Sequence, residues 1–151
     1  KQSFPYSNQP VFLYNNTFTT TSASGDLISV DAKGNVSSTN LNLSENHHIE
    51  TTSKTLVAQS ENKLYIKSKT TELDFGDYSN PKIFYINNKI YVSITDLQSH
   101  KTYLYDSQSK LLPNFPVYGN STIDLDNIDK DRNLEFVTKG ENNAIILYQI
   151  N

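Results

Sequence analysis

A run of alternating oxygen-bearing side chains near the end of the sequence has the spacing of a cation-binding loop. Asn127, Asp129 and Asp131 occupy every second position, and Glu135 follows two residues after Asn133. Alternate residues of a tightly curved loop turn their oxygens inward, and Ca²⁺ takes about six to eight oxygen ligands. The sequence therefore predicts a structural calcium site formed by the side chains of Asn127, Asp129, Asp131 and Glu135 and the backbone carbonyl of Asn133.

A metal-free turn is the alternative interpretation of the same loop. Asn127 offers a neutral amide oxygen, so only three carboxylates would face the cation. Arg132 supplies a guanidinium that can pair with Asp129 or Glu135 and neutralise the loop without an ion. Both interpretations stay open. In neither case do we expect a catalytic metal, because all the ligands come from one short loop.

The strands that must position this loop follow a repeated pattern. Four blocks each contain three short alternating runs, separated by turn residues, with the length and period of half-buried strands. The predicted strands are 17–20, 26–30, 36–43, 55–59, 63–67, 72–75, 82–86, 89–94, 102–106, 122–126, 134–138 and 144–150, with 11–14, 48–52 and 115–118 as candidate outer strands. Phe18, Leu56, Ile83 and Ile123 mark the first strand of each block and lie 38, 27 and 40 residues apart. Propeller blades take roughly 40 to 50 residues, so the short second interval indicates a trimmed blade.

This rhythm predicts an all-β chain, namely a β-propeller or partial propeller of about four short antiparallel blades. A β-sandwich is the alternative, because alternation reports one buried face per strand and not how the sheets are arranged. The composition agrees with an all-β fold: 18 Asn, 17 Ser and 14 Thr compete with the helical backbone, and Ala occurs only four times. We expect one domain over residues 1–151, with residues 1–10 as an irregular N-terminal segment.

The segment 106–151 resembles one repeat of the FG-GAP or VCBS type of β-propeller. Such repeats place a proline-bounded aromatic segment before an acidic loop of the form DxDxDGxxE, and here NFPV at 114–117 precedes the loop at 127–135. The family has Gly, often with positive φ, where this chain has Arg132. The resemblance implies a propeller fold, a calcium loop, and a protein that is secreted, periplasmic or displayed at the cell surface.

We therefore expect a non-catalytic interaction or scaffold module, the C-terminal part of a larger propeller. Its partner would be a protein or a glycan, the remaining blades, or a second copy, because the edges of an incomplete propeller invite pairing. The absence of Met indicates that Lys1 is not a translation start and that an upstream part has been removed. The alternative is the C-terminal blades of a propeller enzyme acting on carbohydrate, with Asp74 and Asp77 as paired carboxylates and most catalytic residues upstream.

Several function classes are disfavoured. A net charge of -3, with one Arg among 13 basic residues, lacks the electrostatic footprint of a nucleic-acid binder. No cysteine is present, no apolar run approaches the length of a membrane span, and no nucleophile or phosphate-loop motif occurs. His48 and Glu50 would share a strand face, but the surrounding Ser, Asn and Thr favour an exposed loop around His47 and His48.

Overall fold

The computed structural model describes residues 3–151, which form fifteen β-strands and no α-helix. These residues consequently contain no helix of the length and hydropathy needed to cross a bilayer. The strands are β1 Phe12–Tyr14, β2 Thr17–Thr21, β3 Asp26–Val30, β4 Val36–Asn40, β5 His47–Thr51, β6 Leu56–Ser60, β7 Lys63–Ile66, β8 Lys69–Glu72, β9 Lys82–Ile86, β10 Lys89–Asp96, β11 Lys101–Asp106, β12 Val117–Tyr118, β13 Asp124–Asp126, β14 Leu134–Lys139 and β15 Ile145–Ile150.

The strands form four separate antiparallel sheets, each made of consecutive strands. The first sheet contains β1–β4, the second β5–β8, the third β9–β12 and the fourth β13–β15. The all-β prediction is confirmed. The sheets begin at residues 12, 47, 82 and 124, so they repeat every 35, 35 and 42 residues.

This spacing corrects the expectation of a trimmed blade in the second interval. Phe18 and Leu56 lie on the second strands of their sheets, whereas Ile83 lies on the first strand of the third sheet. The interval from Leu56 to Ile83 therefore runs from a second strand to a first strand and is shorter than the true repeat. The predicted outer strands at 11–14 and 48–52 are in fact the first strands of their sheets. Among the described residues, the sheet with three strands instead of four is the last one.

Asparagine pairs form several of the hairpin turns. Both residues of Asn15-Asn16, Asn87-Asn88 and Asn142-Asn143 have positive φ, between 48° and 61°. Asn15-Asn16 and Asn87-Asn88 are two-residue loops, which match the right-handed twist of the flanking strands, and Asn tolerates the left-handed region better than most residues. The Asn-rich composition is therefore in part a hairpin-forming feature.

The chain divides into two compact units, with the boundary between Glu72 and Leu73. In the first unit the first and second sheets pack through a cluster centred on Leu43, Ile49 and Ala58. Leu27 of the first sheet and Tyr65 of the second sheet pack against it. Since β5 supplies Ile49 and β6 supplies Ala58, the alternating apolar positions of these strands account for the contact.

In the second unit the third and fourth sheets pack through a larger aromatic cluster. Phe84 and Leu104 come from the third sheet, and Leu125 and Phe136 come from the fourth. Phe136 is 2% exposed, and its ring stacks on the ring of Tyr148 at 4.8 Å. These buried residues fix the ends of β13 and β14, the strands that flank the acidic loop.

Two further sequence expectations can be compared with the strands. The strand predicted at 72–75 is wrong: β8 is Lys69–Glu72, because Lys67 adopts a positive φ of 56° and turns the chain directly after β7. Of the N-terminal segment 1–10, residues 1 and 2 lie outside the described residues. Residues 3–10 contain one isolated bridge, between Tyr6 and Ser22, and no strand.

Candidate functional site

The acidic loop lies between two strands whose register is fixed by buried neighbours. Leu125 of β13 pairs with Phe136 of β14, and the next pair, Asp126 with Glu135, ends the ladder. Leu125 and Phe136 are 5% and 2% exposed. The loop is therefore held at both ends by the core of the second unit, while its middle projects into solvent.

Three predicted ligands are brought together in this loop. One carboxylate oxygen from each of Asp129, Asp131 and Glu135 lies within 4.8 Å of the other two. Asp129 and Asp131 are exposed, whereas Glu135 is buried. Like charges this close repel one another, and a divalent cation would offset that repulsion.

Asn127, the first predicted ligand, has a carbonyl oxygen with no partner. Its Nδ2 donates to the backbone carbonyl of Asp131 at 2.6 Å, which orients the amide. Its Oδ1 is buried and accepts no hydrogen bond from the described residues. A buried acceptor without a partner is costly, and a cation beside it would remove that cost. The residue type at this position therefore fits a calcium ligand.

The remaining contacts within the loop are those of a tight acidic turn. Asp131 Oδ1 and Oδ2 accept the backbone amide and the side-chain Nδ2 of Asn133, at 2.5 and 3.0 Å. Asp129 Oδ1 accepts the amide of Asp131 at 3.0 Å. Glu135 Oε2 accepts the amide of Ile128 at 3.1 Å. An ion would compete with the Asn133 bonds for the oxygens of Asp131.

Arg132 does not form the ion pair with Asp129 or Glu135 that the metal-free interpretation predicts. Across residues 3–151 the recorded ion pairs are Lys82 with Asp124 and His100 with Glu141, and neither contains Arg132. The left-handed residue of the loop is Lys130, with φ of 61°, and not Arg132. The carboxylates of the loop are thus left without a basic partner from the described chain.

The histidine segment is a partly buried strand, β5, which corrects the expectation of an exposed loop. His47 is 1% exposed; its Nδ1 lies 2.6 Å from the carbonyl oxygen of Ser44, and its Nε2 lies 2.7 Å from the hydroxyl of Thr21. A carbonyl can only accept, so Nδ1 is the donor, and in the neutral ring Nε2 then accepts the hydroxyl of Thr21. The hydrogen bond between His47 and Thr21 joins β5 to β2. The pKa of the neighbouring His48 is lowered, mainly by burial and secondarily by the nearby His47.

Asp74 and Asp77 flank a turn leading into the third sheet, and the described contacts do not join their carboxylates. The carbonyl of Asp74 accepts the hydroxyl of Tyr78 at 2.7 Å. The amide of Asp77 donates to the carboxylate of Asp96 at 3.2 Å. These contacts are those of a structural turn.

Asp96 is a buried carboxylate that sequence reasoning missed. It also accepts the amide of Gln98 at 2.9 Å and the hydroxyl of Ser99. Burial acts to raise the pKa of Asp96, but these hydrogen bonds outweigh it and hold the pKa below the ordinary 3.8. The available signal was the recurrence of Asp at the end of a strand, since Asp106 caps the next turn in the same way.

The first and fourth sheets each carry exposed apolar residues on one side. On the first sheet, directly opposed residues form the row Leu13, Phe18, Val30 and Val36, which we call the first-sheet face. Leu13 and Phe18 are 59% and 60% exposed. No Lys or Arg lies on the strand positions of this face.

On one side of the fourth sheet, Val137, Ile145 and Leu147, which we call the fourth-sheet face, lie among the charged residues Asp124, Asp126, Glu135 and Lys139. Val137 pairs directly with Leu147, and Ile145 and Leu147 are 77% and 64% exposed. Val137 and Ile145 also line a shallow cleft of about 290 Å³. Sequence alternation predicted these strands but could not tell which of their faces is covered.

Comparisons with known proteins identify the fold. No protein-family model matches the chain, and no curated protein matches its sequence. A solved structure of streptogramin B lyase is 16% identical with a TM-score of 0.52, and the match covers 97% of this chain and 56% of that one. A virginiamycin B lyase from Staphylococcus aureus is 17% identical with the same TM-score, and the match covers 99% of this chain and 57% of that one.

Both structures are β-propeller proteins, and the fold of this chain is of the same class, a partial β-propeller of four antiparallel sheets. The propeller prediction is therefore confirmed in place of the β-sandwich. The chain spans a little over half the length of these two structures. At this level of identity the likeness concerns the fold alone.

Proposed function

We propose that this chain is a non-catalytic interaction module of a secreted or cell-surface protein, built on a partial propeller of the FG-GAP or VCBS type. The observation that carries the proposal is the first-sheet face. Leu13 and Phe18 each expose about 60% of their surface, and the row they belong to contains no charge. Exposed contiguous apolar surface on a soluble protein marks a contact site.

The propeller fold gives this surface a specific role. Sheets of a propeller follow one another around a central channel. The first and second sheets already pack in this manner through Leu43, Ile49 and Ala58. The first-sheet face lies on the opposite side of the same sheet, and we infer that it receives a further sheet.

A direct test uses a dye that fluoresces on exposed apolar surface, at a dilution where light scattering gives the mass of one chain. Phe18→Ser should lower the fluorescence clearly, because it removes the most exposed aromatic ring of the row. Phe75→Ser is the matched control: Phe75 is 94% exposed but lies outside the strands. Equal fluorescence from Phe18→Ser and the unmodified chain would remove the basis of the proposal.

The second part of the proposal is that the acidic loop binds one structural Ca²⁺. Asp129, Asp131 and Glu135 would provide carboxylate oxygens, the orphaned Oδ1 of Asn127 a neutral one, and Asn133 its backbone carbonyl. The ion would link the ends of β13 and β14. It would stabilise the fourth sheet without taking part in a reaction.

Thermal unfolding with excess Ca²⁺ and with a chelator tests the ion. A ligand that binds only the folded state stabilises by about 2.7 kcal/mol at about 100 times its dissociation constant. For a chain of this size that raises the melting temperature by about 5 to 11 °C. Asp129→Ala should abolish the shift, whereas Asp124→Ala, which removes an exposed carboxylate from the adjacent strand, should retain it. Coincident curves with and without Ca²⁺ would show a metal-free turn and leave the interaction module untouched.

A further inference from the structure

The outer strand of the fourth sheet, β15, has no neighbour on one side. In the other three sheets the third strand is paired on both sides, as β3 is with β2 and β4, β7 with β6 and β8, and β11 with β10 and β12. β15 is the third strand of its sheet, and across residues 3–151 it pairs with β14 alone. The outer edge of β15, which we call the open edge, is therefore where the other sheets carry a fourth strand.

The backbone hydrogen bonds show which residues of β15 face the open edge. The amide of Gly140 donates to the carbonyl of Ala144 at 2.9 Å, and the amide of Asn120 donates to the carbonyl of Lys139 at 3.0 Å. Bonded and non-bonded pairs alternate along an antiparallel ladder, so the even-numbered residues of β15 bond to β14. The amides and carbonyls that point away from β14 are those of Ile145, Leu147 and Gln149, and no other described segment pairs with them.

The open edge lacks the features that protect the outer strands of the other sheets. β8 carries Lys69 and Glu72, β12 has two residues, and β4 consists mainly of Ser and Thr. Charged residues and short length are common means by which edge strands avoid pairing. β15 has six residues, IILYQI, without charge, Pro or Gly. Ile145 and Leu147 are also 77% and 64% exposed, so this strand is suited to accept another strand.

The open edge is complementary to itself. Residues that lie opposite each other in a bonded antiparallel pair exchange both of their hydrogen bonds. When Leu147 lies opposite its counterpart in a second copy, Ile145 lies opposite Gln149, so every outward-facing residue meets another one. About six backbone hydrogen bonds would form, two for each opposed pair. Since β15 has no charged residue, no like charges are opposed, and the two Leu147 side chains meet on the fourth-sheet face.

We propose that β15 pairs antiparallel with β15 of a second copy, so that two three-stranded sheets become one sheet of six strands. The contact is isologous, with the two-fold axis at Leu147, and it closes at two copies. It goes beyond the proposed function, because it uses the edge of the fourth sheet and not the first-sheet face.

Light scattering after size-exclusion chromatography tests this contact. At high concentration the chain should have twice the mass of a 17.1 kDa monomer. Leu147→Pro should give the monomer mass with an unchanged circular dichroism spectrum, because it removes an outward amide that makes no bond to β14. Ser38→Pro is the matched control: the amide of Ser38 also points away from its neighbouring strand, on the edge of β4, and this variant should remain a dimer.

A second variant keeps the test decisive if Leu147→Pro does not fold. Leu147→Lys changes a side chain that is 64% exposed and places two like charges opposite each other in the pair. It should therefore also give the monomer mass. A monomer of the unmodified chain at every concentration, or a dimer that Leu147→Lys leaves intact, would overturn the proposal.

Cross-linking tests the register of the pair. The chain has no cysteine, so Leu147→Cys introduces one thiol. Opposed residues of a bonded antiparallel pair have Cα atoms about 5.5 Å apart, so a short bis-maleimide should join two copies of Leu147→Cys. Phe18→Cys is the control, because Phe18 is 60% exposed but lies on the first sheet. Joining of Phe18→Cys and not of Leu147→Cys would refute β15 as the contact.

Failure of this inference and failure of the proposed function give different results. A monomer whose dye fluorescence depends on Phe18 keeps the first-sheet face and removes the contact through β15. A dimer that depends on Leu147, with dye fluorescence independent of Phe18, keeps the contact through β15 and removes the first-sheet face.

Discussion

Replacing Asp96 with Ala should lower the free energy of unfolding by about 3 kcal/mol. The carboxylate is 2% exposed and accepts the amides of Asp77 and Gln98 and the hydroxyl of Ser99. Hydrogen bonds to charged groups contribute about 1.5 to 3 kcal/mol each. The substitution also removes the cost of burying the carboxylate, so the net loss is closer to that of one such bond than to the sum of three.

Asp106→Ala is the matched control for this prediction. Asp106 caps the next turn in the same way, accepting the amides of Gln108 at 2.8 Å and Lys110 at 3.0 Å. Asp106 is only partly buried, whereas Asp96 is 2% exposed, so water can replace the lost Asp106 acceptor more readily, and we expect a loss of about 1 kcal/mol.

Urea unfolding followed by tyrosine fluorescence measures both variants, since the chain has 10 Tyr and no Trp. The Asp96→Ala midpoint should fall well below that of Asp106→Ala, with the same dependence on urea concentration. Equal losses in the two variants would refute the argument that burial makes the Asp96 contacts hard to replace.

Three further predictions follow from buried or crowded positions. Gly25→Ala should lower the free energy of unfolding in urea by several kcal/mol, because φ is +78° and a Cβ would lie 2.2 Å from the carbonyl oxygen of Leu43. Gly34→Ala is the control: φ is +85° but the space around it is open, so the loss should be about 1 kcal/mol. Thr21→Val should cost about 1 to 3 kcal/mol, because it leaves the Nε2 of buried His47 without its donor; full stability in urea would contradict the assignment. The pKa of Asp96 is lower in the folded than in the unfolded chain, so its contribution is present above about pH 4 and lost as the pH falls through the folded pKa. Acid titration followed by circular dichroism should therefore show a shallower loss of stability below about pH 4 for Asp96→Asn than for the unmodified chain; equal slopes would argue against it.

The strands were the most predictable part of the structure. The predictions at 26–30 and 82–86 agree with β3 and β9 at both ends, because each run alternates cleanly and is bounded by turn residues. The grouping into sheets was less predictable, since alternation does not show which run begins a sheet. The turn at Lys67 shifted β8 by three residues, because a Lys with positive φ has no compositional signal.

The sequence predicted which residues form the candidate site, but it did not predict the backbone conformation and contacts of the loop. The spacing of Asp129, Asp131 and Glu135 predicted that they converge, and they do. The repeat pattern has its Gly, often with positive φ, at the position of Arg132, whereas the residue with positive φ in this loop is Lys130. Which side of the first or fourth sheet is exposed depends on which sheets pack together, and the alternation within a single strand does not show that.

The conformation of the turns explains part of the high asparagine content. Among residues 3–151, eight of the thirteen non-glycine residues with positive φ are Asn, and the sequence has only five Gly. Asn therefore performs at Asn87-Asn88 and its counterparts the role that Gly often has in tight hairpins. The Asn content is therefore required in part by the hairpins of the sheets, and the proposed export rests on the repeat resemblance and not on this composition.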